Sequence, residues 1–299
     1  MVSTPANVPN GEPGPRRVFL KGAASAWLLS GFGSALLSAC GGGGVSSDEP
    51  DTPRLASVNN FRDIGGAGAG YATVDGRQVR RGMFYRSNVL TLSPADKAVI
   101  DTLKIASVYD LRTPGETVRT ADVMPTGAVY VNINVLGESD QTIPPPELPG
   151  GAIEWMEADE RAYVTGTAQR AAYGKLLAQL ASTDGVQLIH SEAGKDRTGW
   201  VAAILLGIAN VPLDIIMQDY LLTNTYAAES IKVQVAAVQT QNGEAAATLD
   251  APLFGVQESF LQAGFDQVQA SYGTMTSYLT VGLGLTQSTI DTLHDRLVI

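Results

Sequence analysis

Short apolar runs alternate with longer stretches of helical spacing along most of the chain. The runs at residues 83–86, 106–111, 129–135 and 186–190 are bounded by turn residues and predict strands. Two of them, 106–111 and 186–190, lack an in/out alternation, as expected of central parallel strands covered on both faces. Ser93-Pro94-Ala95-Asp96 offers a hydroxyl cap, a proline for the first turn and a carboxylate near the positive helix end, so a helix is expected to residue 104. Residues 167–181, 198–209 and, after Pro212, 213–222 also predict helices. Strands alternating with helices argue for an α/β sandwich. Residues 225–299 contain no clear strand and read as several helices, punctuated at 242–244 and 282–285. Residues 136–160, with Pro144-Pro145-Pro146 and Gly150-Gly151, are expected to form a long irregular loop of the kind that faces substrate.

The N-terminal pattern differs. Arg16-Arg17-Val18-Phe19-Leu20-Lys21 precedes an apolar run rich in Ala, Gly, Ser and Leu at 22–39, and the run ends in Leu37-Ser38-Ala39-Cys40. The first element resembles a twin-arginine export signal, and the tetrapeptide resembles the lipobox of bacterial lipoproteins, whose cysteine is lipidated. A plain membrane anchor is the alternative, but its Gly and Ser content would be high for a stable span. Residues 1–40 are thus expected to be a signal peptide. Residues 41–54, GGGGVSSDEPDTPR, have the composition of a flexible tether, leaving one domain at 55–299. An exported domain lipid-anchored to a bacterial membrane through Cys40 is the expected outcome.

With 299 residues, 44% of them hydrophobic, the chain can bury a substantial core. Its formal charge is −10; Arg16, Arg17, Lys21 and Glu12 make residues 1–40 net positive by two, which leaves −12 on the remainder. Long-range attraction to nucleic acid is therefore not expected, and an anionic ligand must be captured by local cations and amides. Cys40 is the single cysteine, so a disulfide framework or a cysteine-based metal cluster is excluded. No cofactor and no metal site is expected.

The candidate chemistry lies after the strand at 186–190. With a helix expected from Thr198, residues 191–197 form a strand-to-helix turn, the place where α/β sheets bind ligands. Such a turn can point successive backbone N–H groups inward as an anion nest, with the positive helix end behind them. Gly194 permits close approach of the backbone, and Arg197 can present two N–H groups to two phosphate oxygens. A nucleotide P-loop would need Ser or Thr where Asp196 stands and glycine where Ile189 stands. A serine-hydrolase elbow would need glycines at 189 and 193, where Ile189 and Ala193 stand.

Residues 190–199, HSEAGKDRTG, resemble the HCxxGKDRTG signature of bacterial protein tyrosine and dual-specificity phosphatases that also act on phosphoinositides, with Ser191 at the cysteine position. Asn60-Phe61-Arg62-Asp63-Ile64-Gly65-Gly66, Asp110-Leu111-Arg112, Asp219-Tyr220-Leu221-Leu222-Thr223-Asn224 and the YLTVGLGL stretch at 278–285 resemble further elements of that family. The resemblance implies an α/β protein-tyrosine-phosphatase-like fold: a central, mostly parallel sheet flanked by helices, with C-terminal helices and a helical lid formed by residues 225–264. It implies a covalent phospho-enzyme formed from phosphotyrosine, phosphoserine or phosphoinositide monoesters. Arg197 and the amides from Glu192 through Ala193, Gly194, Lys195 and Asp196 would hold the phosphoryl oxygens. Asp196 would be the general acid, with a purely structural role as the alternative. Lys195 would contact a second phosphate or stay solvated. Arg62 and Asp63 would brace the loop, or Asp63 would stabilise an N-terminal turn. His190 and Thr198 would support residue 191. A thiol in such a nest ionises readily, whereas an alcohol without a base stays protonated. Ser191 therefore suits either an impaired, substrate-trapping phosphatase or a phospho-ligand-binding pseudophosphatase.

Overall fold

Adjacent residues of a strand point to opposite faces, and Val186–His190 shows the consequence. Leu188 packs into one apolar cluster with Val58, Phe61 and Ile100, while Ile189 packs into another with Trp200, Leu205 and Phe260. Both faces are buried, which is why the run carries no polar alternation. The computed structural model describes residues 52–142 and 151–299. The twin-arginine segment, the apolar run, Cys40, residues 41–51 of the expected tether and residues 143–150 of the expected loop lie outside the described residues.

One sheet holds β1 (Arg62–Asp63), β2 (Phe84–Ser87), β3 (Ile105–Asp110), β4 (Val129–Asn132) and β5 (Val186–His190). Its order is β1-β2-β5-β3-β4, with β1 antiparallel to β2 and the other pairings parallel. The four expected strands are present. The run at 129–135 leaves the sheet after Asn132, although Ile133 and Val135 stay buried. His190 is level with Ser87 on one side and Asp110 on the other, so three strands finish together beneath the loop that follows β5.

The helices are α1 (Pro94–Thr102), α2 (Pro114–Arg119), α3 (Gly151–Thr165), α4 (Thr167–Ser182), α5 (Asp196–Ile208), α6 (Leu213–Leu221), α7 (Thr223–Tyr226), α8 (Ala228–Asn242), α9 (Glu244–Asp250), α10 (Glu258–Tyr272), α11 (Met275–Ser277) and α12 (Gln287–Leu297). The Ser93 hydroxyl accepts from the Asp96 amide at 3.1 Å and caps α1 as expected, a contact worth about 1 kcal/mol. Three expectations need correction. Residues 151–160 are helical: Ala152, Met156, Glu160 and Tyr163 recur at helical spacing and are buried, and the Pro and Gly clusters just before them obscure that period. Helix α5 begins at Asp196 rather than Thr198, because the Gly199 amide already donates to the Lys195 carbonyl at 2.8 Å. Residues 52–54 lie against the domain: the Thr52 hydroxyl accepts from the Asp63 amide at 3.2 Å, and the Arg54 guanidinium stacks 3.4 Å over the Tyr226 ring.

Candidate active site

Ser191 opens the loop between β5 and α5 and is 2% exposed; its Oγ accepts a hydrogen bond from the Thr198 hydroxyl at 2.9 Å. The loop is shaped by what holds its carbonyls. Arg86 Nη2 donates to the carbonyls of Gly194 (2.8 Å) and Lys195 (3.2 Å), Asn60 Nδ2 donates to Gly194 (2.7 Å), and the Val89 amide donates to the Glu192 carbonyl (3.2 Å). In a trans peptide the C=O and the next N–H point in opposite directions. The amides of Ala193, Lys195 and Asp196 therefore turn away from Val89, Asn60 and Arg86. Gly194 sits at φ +66°, and a Cβ there would lie 2.2 Å from the Ser87 carbonyl oxygen, so only glycine fits.

Arg197 stands in the first turn of α5. Its two terminal nitrogens donate to Glu116 at 2.8 and 2.7 Å, a bidentate pair almost wholly buried. Burial opposes the charge on each partner. Their mutual hydrogen bonds and charges win, holding the Glu116 carboxyl below its ordinary range and the guanidinium above its own. Glu116 is itself fixed by a capping box at the start of α2, where its Oε2 accepts from the Thr113 amide at 2.9 Å and the Thr113 hydroxyl at 3.0 Å.

A second charge network supports the loop from below. Asp219 accepts from Arg62 Nε at 3.3 Å and the Tyr71 hydroxyl at 3.1 Å, and lies 3.5 Å from Arg86. Burial and the neighbouring charge of Arg62 lower Arg86 to about 9. Of the two positions expected as braces, Arg62 acts through Asp219 and Asn60, whereas the Asp63 carboxylate accepts from the Gly65 and Gly82 amides in the N-terminal turn. Arg112 pairs with Asp110 (3.0 Å), Asp122 (2.7 Å) and, in the loop itself, Glu192 (3.3 Å). His190 Nε2 lies 3.3 Å from Asp122. Asp110, Asp122 and His190 gather ligand-type atoms within 4.8 Å, but the Arg112 guanidinium is already the cation between the carboxylates.

A cavity of about 330 Å³ opens over the loop, lined among others by Ser191, Asp196 and Arg197 from the loop and α5. Arg119 of α2, paired with Asp140, stands at its wall, as does Asp159 of α3. The far side comes from Gln234 of α8 and from Leu253 and Phe254 beyond α9. Lys195 does not enter solvent: its Nζ donates to the carbonyls of Leu253 at 2.5 Å and Gly255 at 3.1 Å, and lies 3.5 Å from Asp196. Sequence spacing alone does not single out Asn60, Arg86, Glu116 or Asp159 as site residues. Asn60 lay in a motif already quoted, and the Thr113-Pro114-Gly115-Glu116 spacing of a capping box was readable, but nothing local ties Arg86 or Asp159 to a loop so distant in sequence.

A sequence model of the tyrosine phosphatase family matches residues 53–299. The chain belongs to that family. It is 32% identical over 237 residues to a protein of Cupriavidus necator assigned by name as a tyrosine-protein phosphatase, a match covering 75% of this chain and 81% of that protein. It is 25% identical to the triple specificity protein phosphatase PtpB of Mycobacterium tuberculosis, covering 82% of this chain and 98% of PtpB. A tyrosine-protein phosphatase of Nostoc commune matches at 27% over 143 residues, 45% of this chain and 46% of that protein. The chain is thus a phosphatase by family, and its α/β architecture with a mostly parallel five-stranded sheet fits that assignment.

Proposed function

We propose that this protein acts on phosphoric monoesters of phosphotyrosine or phosphoserine proteins, or of phosphoinositides, at the cavity over residues 191–197, and that Ser191 leaves it impaired in turnover. The observation that carries this reading is the pairing of a buried, Glu116-oriented Arg197 with three loop amides turned away from their bracing side, around a residue 191 that lines the same cavity. The guanidinium and the amides would hold the equatorial oxygens of a phosphoryl group, and Asp196 would serve the leaving oxygen, as the family resemblance implies. A serine hydroxyl is a weak nucleophile without a base, and the hydrogen-bond partner of the Ser191 hydroxyl is Thr198 rather than His190. The α8–α9 hairpin would act as a lid, since Gln234, Leu253 and Phe254 close one side of the cavity. Upstream, Cys40 would carry the lipid that holds the exported domain at a membrane.

Ser191→Cys should raise hydrolysis of an aryl phosphate by about a thousandfold, a barrier change of roughly 4 kcal/mol, with tungstate affinity little altered. Arg197→Ala should remove the regained activity. A folded Ser191→Cys protein that binds tungstate without turnover would instead establish the second reading, a phospho-ligand-binding module. That reading is favoured by the Ser191 hydroxyl being tied to Thr198.

A further inference from the structure

Helix α3 turns one face to the cavity, and Trp155, Met156, Asp159 and Tyr163 line it at helical spacing. An aspartate is poorly placed there by helix propensity and by burial. Among the described residues it makes no hydrogen bond and no close ion pair that would compensate. Its neighbour on the sequence, Glu160, is wholly buried away from the cavity and is pushed well above the ordinary carboxyl range by burial and by the charge of Asp196. Asp196 stands differently: it sits at the positive end of α5 with the Lys195 ammonium 3.5 Å away. Two aspartates thus line one cavity, one beside a cation and one without a partner.

We propose that Asp159 holds a proton over the phosphate cradle and delivers it to the substrate's leaving oxygen. The proposal rests on the phosphatase reading above and moves the proton-donor role from Asp196 to α3. In the forward step, taken in Ser191→Cys where residue 191 attacks as a thiolate and has no proton to lose, its sulfur bonds to phosphorus as the bond from phosphorus to the leaving oxygen breaks; that oxygen takes the electron pair and the Asp159 proton. In the return step the Asp159 carboxylate takes a proton from the attacking water, whose oxygen bonds to phosphorus as the phospho-enzyme bond breaks and its electron pair returns to residue 191 as the thiolate. Burial, and secondarily the negative charge of Asp196, push Asp159 up to about 6, which suits an acid working near neutrality. The other titratable or charged groups lining the cavity are Arg119, Tyr163, Glu192, Lys195, Asp196 and Arg197. Neither α9, the turn Ala251–Leu253 nor α10 adds one among the described residues.

The first measurement uses the protein with Ser191 in place. Tungstate binding is followed by calorimetry near pH 6.5 in two buffers of unlike ionisation enthalpy. A dianion seated beside Asp159 raises its proton affinity further, so binding should take up most of a proton, and Asp159→Asn should lose that uptake while still binding. Binding without uptake, or uptake that survives Asp159→Asn, overturns the role of Asp159 alone. Absence of tungstate binding overturns the phosphatase reading, and this proposal with it. The second measurement uses Ser191→Cys: adding Asp159→Asn should slow an alkyl phosphate by about a hundredfold and an aryl phosphate much less. Equal slowing of both, or that selective loss in Asp196→Asn instead, returns the role to Asp196.

Discussion

Arg197 and Glu116 set the terms at the scale of single residues. Neither is exposed beyond a few per cent, so each is the other's answer to desolvation. Glu116→Ala should destabilise the protein by about 3–5 kcal/mol in urea unfolding at neutral pH, because the arginine is left buried and unpaired. The folded carboxyl is held below its ordinary value of 4.5, so its stabilisation is complete above that value and is lost as pH falls through the lower folded one. The stability gap between the unmodified protein and Glu116→Gln should therefore narrow in acid, and a gap independent of pH would contradict the pairing. The loop residues themselves were legible in the sequence because they are contiguous. Their partners were not: Arg86, Asn60 and Glu116 lie 108, 134 and 81 positions from the loop atoms they hold. Only the fold decides which of many arginines and acids is brought to a given strand end.

At the scale of elements, strands and caps were the most readable features. The run 186–190 matches β5 residue for residue, because its apolar Val186, Leu188 and Ile189 supply both covered faces and turn residues bound it on either side. Helix α3 was hidden, since its buried positions follow a proline run and a glycine pair that signal loop, and its partners α10 and α4 lie far along the chain or after it. The segment after α9 was equally opaque, yet it contains the carbonyls of Leu253 and Gly255 that Lys195 holds. Helix α8 has no buried residue, so the hairpin has little other hold on the body through that helix. Lys195→Met should accelerate hydrogen exchange in residues 244–256 and quicken tungstate entry, with the amides of β5 unchanged. If exchange there is the same as in the unmodified protein, the lysine is not what holds the segment down.

At the scale of the whole molecule, residues 1–40 are net positive by two while the remainder is strongly acidic. The remainder after residue 40 carries −12, so electrostatics would push it from an anionic bilayer rather than hold it there. Among the described residues no helix is long and apolar enough to cross a membrane. On the reading proposed above, attachment falls to the lipid on Cys40 and to the residues between it and Thr52, which packs on the domain. That is at most eleven residues of tether, about 35–40 Å when fully extended. Cells expressing the unmodified chain should incorporate labelled palmitate into it, and Cys40→Ala should abolish the label and move the protein out of the membrane fraction or leave it held by an uncleaved leader. An unmodified chain that takes up no label would remove the lipid from this account. The same preparation separates the anchor from the chemistry: a Cys40→Ala, Ser191→Cys protein should hydrolyse a soluble aryl phosphate as fast as Ser191→Cys alone, because residues 52–299 contain every group the cradle uses.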